Sequence, residues 1–233
     1  MGIGAMSLTH VVDTSVEERT GARRRFDEGP PEVPWGPSGR GGDGRPGQPV
    51  SNARLGMLIF LGAEAMFFAG LIGAFLVFRF GSEAWPPPGQ PVLPVGVTGV
   101  NTVILLCSAY TMRSALGAIR GANRNGLVGW LLITALLGAT FLGIQGYEWI
   151  RLVHFGLTLS SSTYGATFYT LVGLHGVHVL GAVLWLLVVL AGARTNRFSA
   201  TSHAGVTVCA MYWYFVVGLW PVLYGLVYLG WAG

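Results

Sequence analysis

One acid and two imidazoles stand where an apolar chain offers them no water. Glu64 lies about halfway along the stretch 52–78, NARLGMLIFLGAEAMFFAGLIGAFLVF, which is otherwise apolar enough to span a bilayer. A charged carboxylate at the bilayer centre costs about 2.5–3.5 kcal/mol, so it must be protonated or paired and must face protein or water rather than lipid. Two readings follow: a neutral acid that fixes helix packing, or a proton-linked or assembly-critical site. His175 and His178 are three residues apart, so a helix presents both on one face to the same neighbour. Asn101, Ser108, Gln145 and Glu148 complete the polar set at membrane depth. Glu148, between Tyr147 and Trp149 at the end of its apolar run, reads as an interface residue rather than a proton carrier.

What these residues cannot do is equally informative. A zinc or copper site needs three or four donors, and beyond the His175/His178 pair only His154, at a connection, lies on the same side. The two cysteines, Cys107 and Cys209, both fall inside apolar runs and form no CxxC pair. They read as small core residues. Without a thiolate set, a Gly-rich phosphate loop or a nucleophile–base pair, the chain is expected to hold no metal and to have no catalytic site of its own.

The elements that must position these groups are transmembrane helices. Of 233 residues, 52% are hydrophobic and only 10% charged, far from the quarter of charged residues usual in a soluble domain. Five runs each supply enough apolar residues to cross the hydrocarbon: about 55–78, 95–112, 127–149, 167–191 and 205–231. They must be helical, because backbone groups in lipid have to be satisfied within the segment and the alternation of a barrel strand is missing. The expected fold is an all-α integral membrane protein, a five-helix transmembrane bundle. Pro94 marks the start of the second and shortest span. Trp85, Trp149, Tyr164, Tyr228 and Trp231 read as interface anchors. The pairs Gly70/Gly73, Gly143/Gly146 and Gly173/Gly176 argue for close helix packing, within the chain or against a partner.

Residues 1–50 differ sharply. They hold seven of the ten acids, six of the fourteen arginines and a Pro/Gly-rich run, so they read as a disordered cytoplasmic tail preceding a 51–233 membrane domain. Nothing in them forms the apolar core of a signal peptide. Twelve arginines fall on the side of the tail, while only Arg79 and Arg151 fall on the other. The positive-inside rule then puts the N-terminus in the cytoplasm and, after five spans, the C-terminus outside. The net charge of +4 resides in that tail and at membrane edges, which gives no case for a nucleic-acid partner.

Five motifs in order resemble one family, subunit III of the haem–copper oxidases. Gly62-Ala63-Glu64-Ala65-Met66-Phe67-Phe68 is similar to the family's G-S-E-x-M-F-F. Trp85-Pro86-Pro87, followed by Asn101-Thr102, resembles W-P-P and L-N-T, and Gln145-Gly146-Tyr147-Glu148-Trp149 resembles Q-x-x-E-[YW]. Tyr164-Gly165-Ala166-Thr167-Phe168 and Gly173-Leu174-His175-Gly176-Val177-His178-Val179 resemble Y-G-[ST]-x-F and G-x-H-G-x-H-V. The resemblance covers everything after the tail and matches the five-span form, which lacks the first two helices of the larger seven-span form and part of the lipid-holding cleft they build. In the last span Tyr214 and Val217 stand where the family has His and Asp.

The resemblance implies a non-redox structural subunit of a cytochrome c or quinol oxidase, a proton-pumping enzyme that reduces oxygen to water. Haem and copper are expected in partner subunits I and II, with bound phospholipid beside this chain, in a bacterial-type plasma (inner) membrane. It also implies that Glu64 is the family's buried helix carboxylate and that His175 and His178 are its paired histidines. Because other polar partners are scarce at that depth, Glu64 and one of the two histidines are expected to share a hydrogen bond. Two other classes of function stay open on the residues: an independent proton-linked transporter, and an accessory subunit of a nitric oxide reductase.

Overall fold

The structure, a computed structural model, describes residues 51–91, 93–195, 197–198 and 203–229. The tail 1–50 and Trp231 lie outside the described residues. Five helices follow in order: α1 (Asn52–Phe80), α2 (Val95–Arg120), α3 (Arg124–His154), α4 (Thr163–Arg194) and α5 (Ala204–Tyr224). All five are long and apolar enough to cross a membrane. No strand occurs among the described residues. The helices outrun the apolar stretches at most ends, because a helix continues through polar residues until something stops it; α2 runs past Met112 to Arg120 and α3 past Trp149 to His154.

The stops are local. Asn123 caps α3 by accepting from the Gly126 N–H at 2.9 Å, and Ser162 caps α4 by accepting from the Gly165 N–H at 3.1 Å. Each satisfies one of the amide donors that a helix start leaves without a partner. After α3 the chain turns through Gly156 at φ +89°, a left-handed conformation that glycine adopts without a Cβ clash. Pro221 lies inside α5, where it removes one backbone donor. The helix then widens into a π-helical turn, Gly225–Leu229.

In the bundle, α2 pairs with α3 and α3 with α4, while α5 packs on α1, α2 and α4. The core therefore gathers around α5. Trp213 and Trp220 are fully buried there, donating from Nε1 to Ser108 Oγ at 3.1 Å and to Thr102 Oγ1 at 2.9 Å. A buried indole N–H needs such an acceptor. On α1, by contrast, only Met57, Phe68 and Phe75 are buried.

Several expectations change in the folded chain. Tyr164 and Tyr228 are core residues rather than interface anchors, because helix packing turns both inward. Trp85 is half-buried and packs edge-to-face on Phe75 and Tyr164 at 5.7 and 5.2 Å, which holds the α1–α2 connection against α1 and α4. Cys209 is buried as expected, but Cys107 faces outward. Of the glycine pairs, only Gly176 meets a neighbour, where a Cβ would lie 2.7 Å from Trp149; Gly70, Gly73, Gly143, Gly146 and Gly173 face open space. Between helices the closest approach falls instead at Gly138, where a Cβ would lie 2.5 Å from the Trp213 ring of α5.

Candidate functional site

Helix α1 carries Glu64 and helix α4 carries His178, and their side chains meet. His178 Nε2 lies 3.0 Å from Glu64 Oε2, while Nδ1 of the same ring lies 2.7 Å from the Leu174 carbonyl oxygen one turn back. A carbonyl oxygen only accepts, so Nδ1 must carry a hydrogen. Nε2 then either accepts the O–H of a protonated Glu64 or, in an imidazolium, donates to a carboxylate. In both states one proton lies between the two groups and their summed charge is zero. That neutrality is how an acid is tolerated at this depth.

The pair is shielded rather than sealed. Glu64 and His178 side chains keep 19% and 17% of their surface exposed, so the acid expected to be buried is half-buried, on the edge of the α1–α4 seam. Phe68 stands edge-on to the His178 ring at 5.0 Å, and Phe67 lies at 6.3 Å.

His175 does not join the pair. Its ring is fully buried and stacks on Trp220 at 5.1 Å with an interplanar angle of 21°. Neither ring nitrogen has a hydrogen-bond partner in the described structure. It lines a cavity of about 260 Å³ together with Phe141, Gln145, Trp149 and Trp220. Gln145 donates from Nε2 to the Tyr228 hydroxyl at 3.1 Å, leaving Oε1 without a partner.

The remaining polar residues serve the bundle. Asn101 donates to the Phe141 carbonyl at 3.1 Å and ties α2 to α3. Glu148 is buried, where the sequence suggested an interface position, and Arg151 one turn on closes over it with Nη1 at 3.2 Å from Oε1. Four buried threonines add to the polar set, of which the motifs contain only Thr102. Thr98 and Thr102 face the core, and Thr111 and Thr134 join α2 to α3 through hydroxyls 2.8 Å apart. The signal that finds Thr102 is the Trp213/Trp220 spacing of two helical turns on α5, since each inward indole requires an acceptor across the seam.

Chemically, the arrangement can hold and share a proton and can fasten α1 to α4. Among the described residues no group of three or more His, Cys, Asp or Glu side chains could hold a metal ion. A family model described as cytochrome c oxidase subunit III matches residues 44–233. The chain is 41% identical over 175 residues to cytochrome c oxidase subunit 3 of Synechocystis sp., covering 75% of this chain and 74% of that protein. It is 35% identical over 179 residues to cytochrome c oxidase subunit 3 of Bacillus subtilis, covering 76% of this chain and 86% of that protein. The protein of the same description in Locusta migratoria is 35% identical over 182 residues, covering 75% of this chain and 68% of that protein.

Proposed function

Because this chain belongs to the cytochrome c oxidase subunit III family, we propose that its half-buried Glu64–His178 bridge is the feature through which it supports the oxidase. The chain is the membrane-spanning, non-catalytic subunit III of a haem–copper oxidase, an oxidoreductase complex. In this reading it docks beside subunit I, and the haem and copper that carry out oxygen reduction to water are in subunits I and II. The observation that carries the role of the bridge is the 3.0 Å contact between Glu64 and His178 on a helix with three buried residues.

Lipid supplies no hydrophobic force between helices, so association rests on van der Waals packing and interhelical hydrogen bonds. Helix α1 has little of the first. It is tied by the Glu64–His178 bridge at mid-depth and by Arg79, which donates to the Leu226 carbonyl at 2.9 Å near its end. Leu58, Ile59, Met66 and Val77 face outward, where subunit I and bound phospholipid would cover them. The proton held in the bridge gives that contact face a group that can exchange protons, which supports a part in sustaining proton uptake. Twelve of fourteen arginines on one side support a cytoplasmic N-terminus and an outside C-terminus, in a bacterial-type plasma membrane. The family match favours neither an independent transporter nor a nitric oxide reductase subunit.

Purification in mild detergent through a tag on this chain tests the reading. Reduced haem bands and co-purifying subunits I and II are expected. A colourless, lone protein that survives several detergents overturns the proposal. In the assembled enzyme, Glu64→Gln is expected to hasten the loss of oxygen consumption during turnover; wild-type endurance in that variant would remove the role given to the bridge.

A further inference from the structure

The cavity of about 260 Å³ that His175 lines takes its walls from three helices: Gln145 and Trp149 of α3, His175 and Gly176 of α4, and Trp220 of α5. Glu64 and His178 have no part in it. Three of its side chains carry buried polar atoms without a partner among the described residues, namely Gln145 Oε1, Trp149 Nε1 and both ring nitrogens of His175. Gln145 is 4% exposed and His175 not at all, so neither atom can turn to solvent. A buried donor or acceptor left unsatisfied destabilises a fold, and here four such atoms belong to the walls of one cavity. The Trp149 indole reaches across the seam only because residue 176 is a glycine, where a Cβ would lie 2.7 Å from the ring.

These atoms define what fits. An indole N–H only donates, an amide oxygen only accepts, and a neutral imidazole offers one of each, so the occupant must both donate and accept. No Arg, Asp or Glu lines the cavity, and an ion buried there would go unpaired; the occupant is therefore uncharged, which excludes a phosphate headgroup. The other walls present carbon or glycine, since the Trp220 N–H is already given to Thr102. Filling the space with water would take on the order of eight molecules, each needing two to four polar partners, more than three side chains can serve. An apolar cavity of about 150 Å³ takes a benzene ring, so this one has room for a ring bearing oxygen substituents. The way in is also visible. Gly146 and Gly173 line the cavity from α3 and α4, and nothing lies within 4 Å of where either would carry a Cβ. Val177 and Leu180 beside them face outward, so the opening leads toward lipid.

We propose that this slot binds the ring of a membrane-soluble hydroquinone, its hydroxyls donating to Gln145 Oε1 and to the unprotonated nitrogen of His175 and accepting from Trp149 Nε1. The aromatic walls hold the ring, and its apolar tail leaves between Gly146 and Gly173 along Val177 and Leu180. This goes beyond the subunit reading, because the slot is formed by α3, α4 and α5 of this chain alone and needs no partner subunit.

The test is photolabelling of the tagged complex with an alkyl hydroquinone that carries a diazirine beside the ring, followed by peptide mapping. Label on this chain is expected within 141–149 of α3 or 172–180 of α4. Gly146→Leu/Gly173→Leu, which plugs the opening without touching a polar group, is expected to abolish it. The control Gly143→Leu, on α3 outside the slot, is expected to keep it. Trp149→Phe retains a ring over Gly176 but removes one donor, and labelling should weaken about two- to tenfold, as for one lost hydrogen bond. His175→Phe keeps a ring against Trp220 and should weaken labelling at least as much. Unchanged labelling in the plugged variant, or in both aromatic variants, overturns the proposal. So does equal labelling by an alkylbenzene with the same diazirine, which would show that the slot reads shape alone. Excess unlabelled alkyl hydroquinone is expected to displace the probe and phosphatidylglycerol to leave it in place. Equal displacement by the two would give the slot to an acyl chain and overturn the assignment.

Discussion

Helices α1 and α5 cross the same apolar layer in opposite ways. Three of the 29 residues of α1 are buried, against nine of the 21 of α5. Both are strongly apolar, so composition does not explain the difference. What separates them is the kind of contact each makes. Helix α5 inserts two indoles that bond to α2 and is wrapped by three helices. Helix α1 leans on α4 and α5 and is fastened by the Glu64–His178 bridge and by Arg79. In lipid, a lightly packed helix depends on its polar ties to a degree that a buried one does not. One helix builds the subunit; the other is left with most of its surface free for lipid or a neighbouring subunit.

The largest effect expected from breaking this contrast is at Trp220. Its ring fills the space between His175 and Phe141, so Trp220→Ala should cost about 3–5 kcal/mol, read as lost thermal stability of the detergent-solubilised protein. The same truncation at the exposed Phe60 of α1 should cost far less. Equal losses would abolish the distinction. Next in size is Gly138→Ala, whose Cβ would enter the Trp213 ring at 2.5 Å and touch Val183 at 3.0 Å. Overpacking of that kind costs about 1–3 kcal/mol. Gly70→Ala on α1 meets open space and should leave the melting temperature unchanged or slightly raised, because alanine is the better helix former.

The helices and the site were not equally legible in the sequence. Runs of apolar residues dictate five spans, since lipid permits no other backbone arrangement, and the stretch around Glu64 stood out because one acid broke it. The choice between His175 and His178 was not legible. Both lie on one face of α4, and only the neighbouring helices decide their roles: His178 meets Glu64 of α1, while His175 stacks on Trp220 of α5. The roles of Gly138 and the core threonines were hidden for a similar reason. A glycine at a close approach and a glycine facing lipid look alike until the opposing side chain is known, and Gly143 and Gly173 face open space while Gly138 meets Trp213. Tyr164 and Tyr228 misled because an amphipathic ring near a span end suits either an interface or a core. Burial was decided by neighbours from other helices.

The bridge sharpens the comparison in a smaller but more specific way. Replacing Glu64 alone with Leu leaves His178 Nε2 without its partner, and replacing His178 alone does the same to the acid. Removing one partner strands a polar group, whereas replacing both with apolar groups is nearly neutral. Glu64→Leu/His178→Leu should therefore be more stable than the sum of the single losses predicts, with a coupling of about 1 kcal/mol in a double-mutant cycle of melting free energies. Strict additivity would mean that the two side chains do not hold α1 to α4.

The smallest effect on stability, and the one that best separates the two helices, is expected at Met66. Its side chain on α1 is 78% exposed, so Met66→Ala removes almost no contact within the chain and should change stability by less than about 0.5 kcal/mol. If that face meets subunit I, the cost appears elsewhere, in the amount of subunit I that co-purifies as detergent is raised. Val188 on α4 is 70% exposed and serves as the control, because its truncation is equally harmless to the fold. A loss of subunit I with Met66→Ala and not with Val188→Ala would place the interface on α1. Equal retention would show that the open face of α1 is covered by lipid alone, and the light packing of that helix would then reflect its solvent rather than its partner.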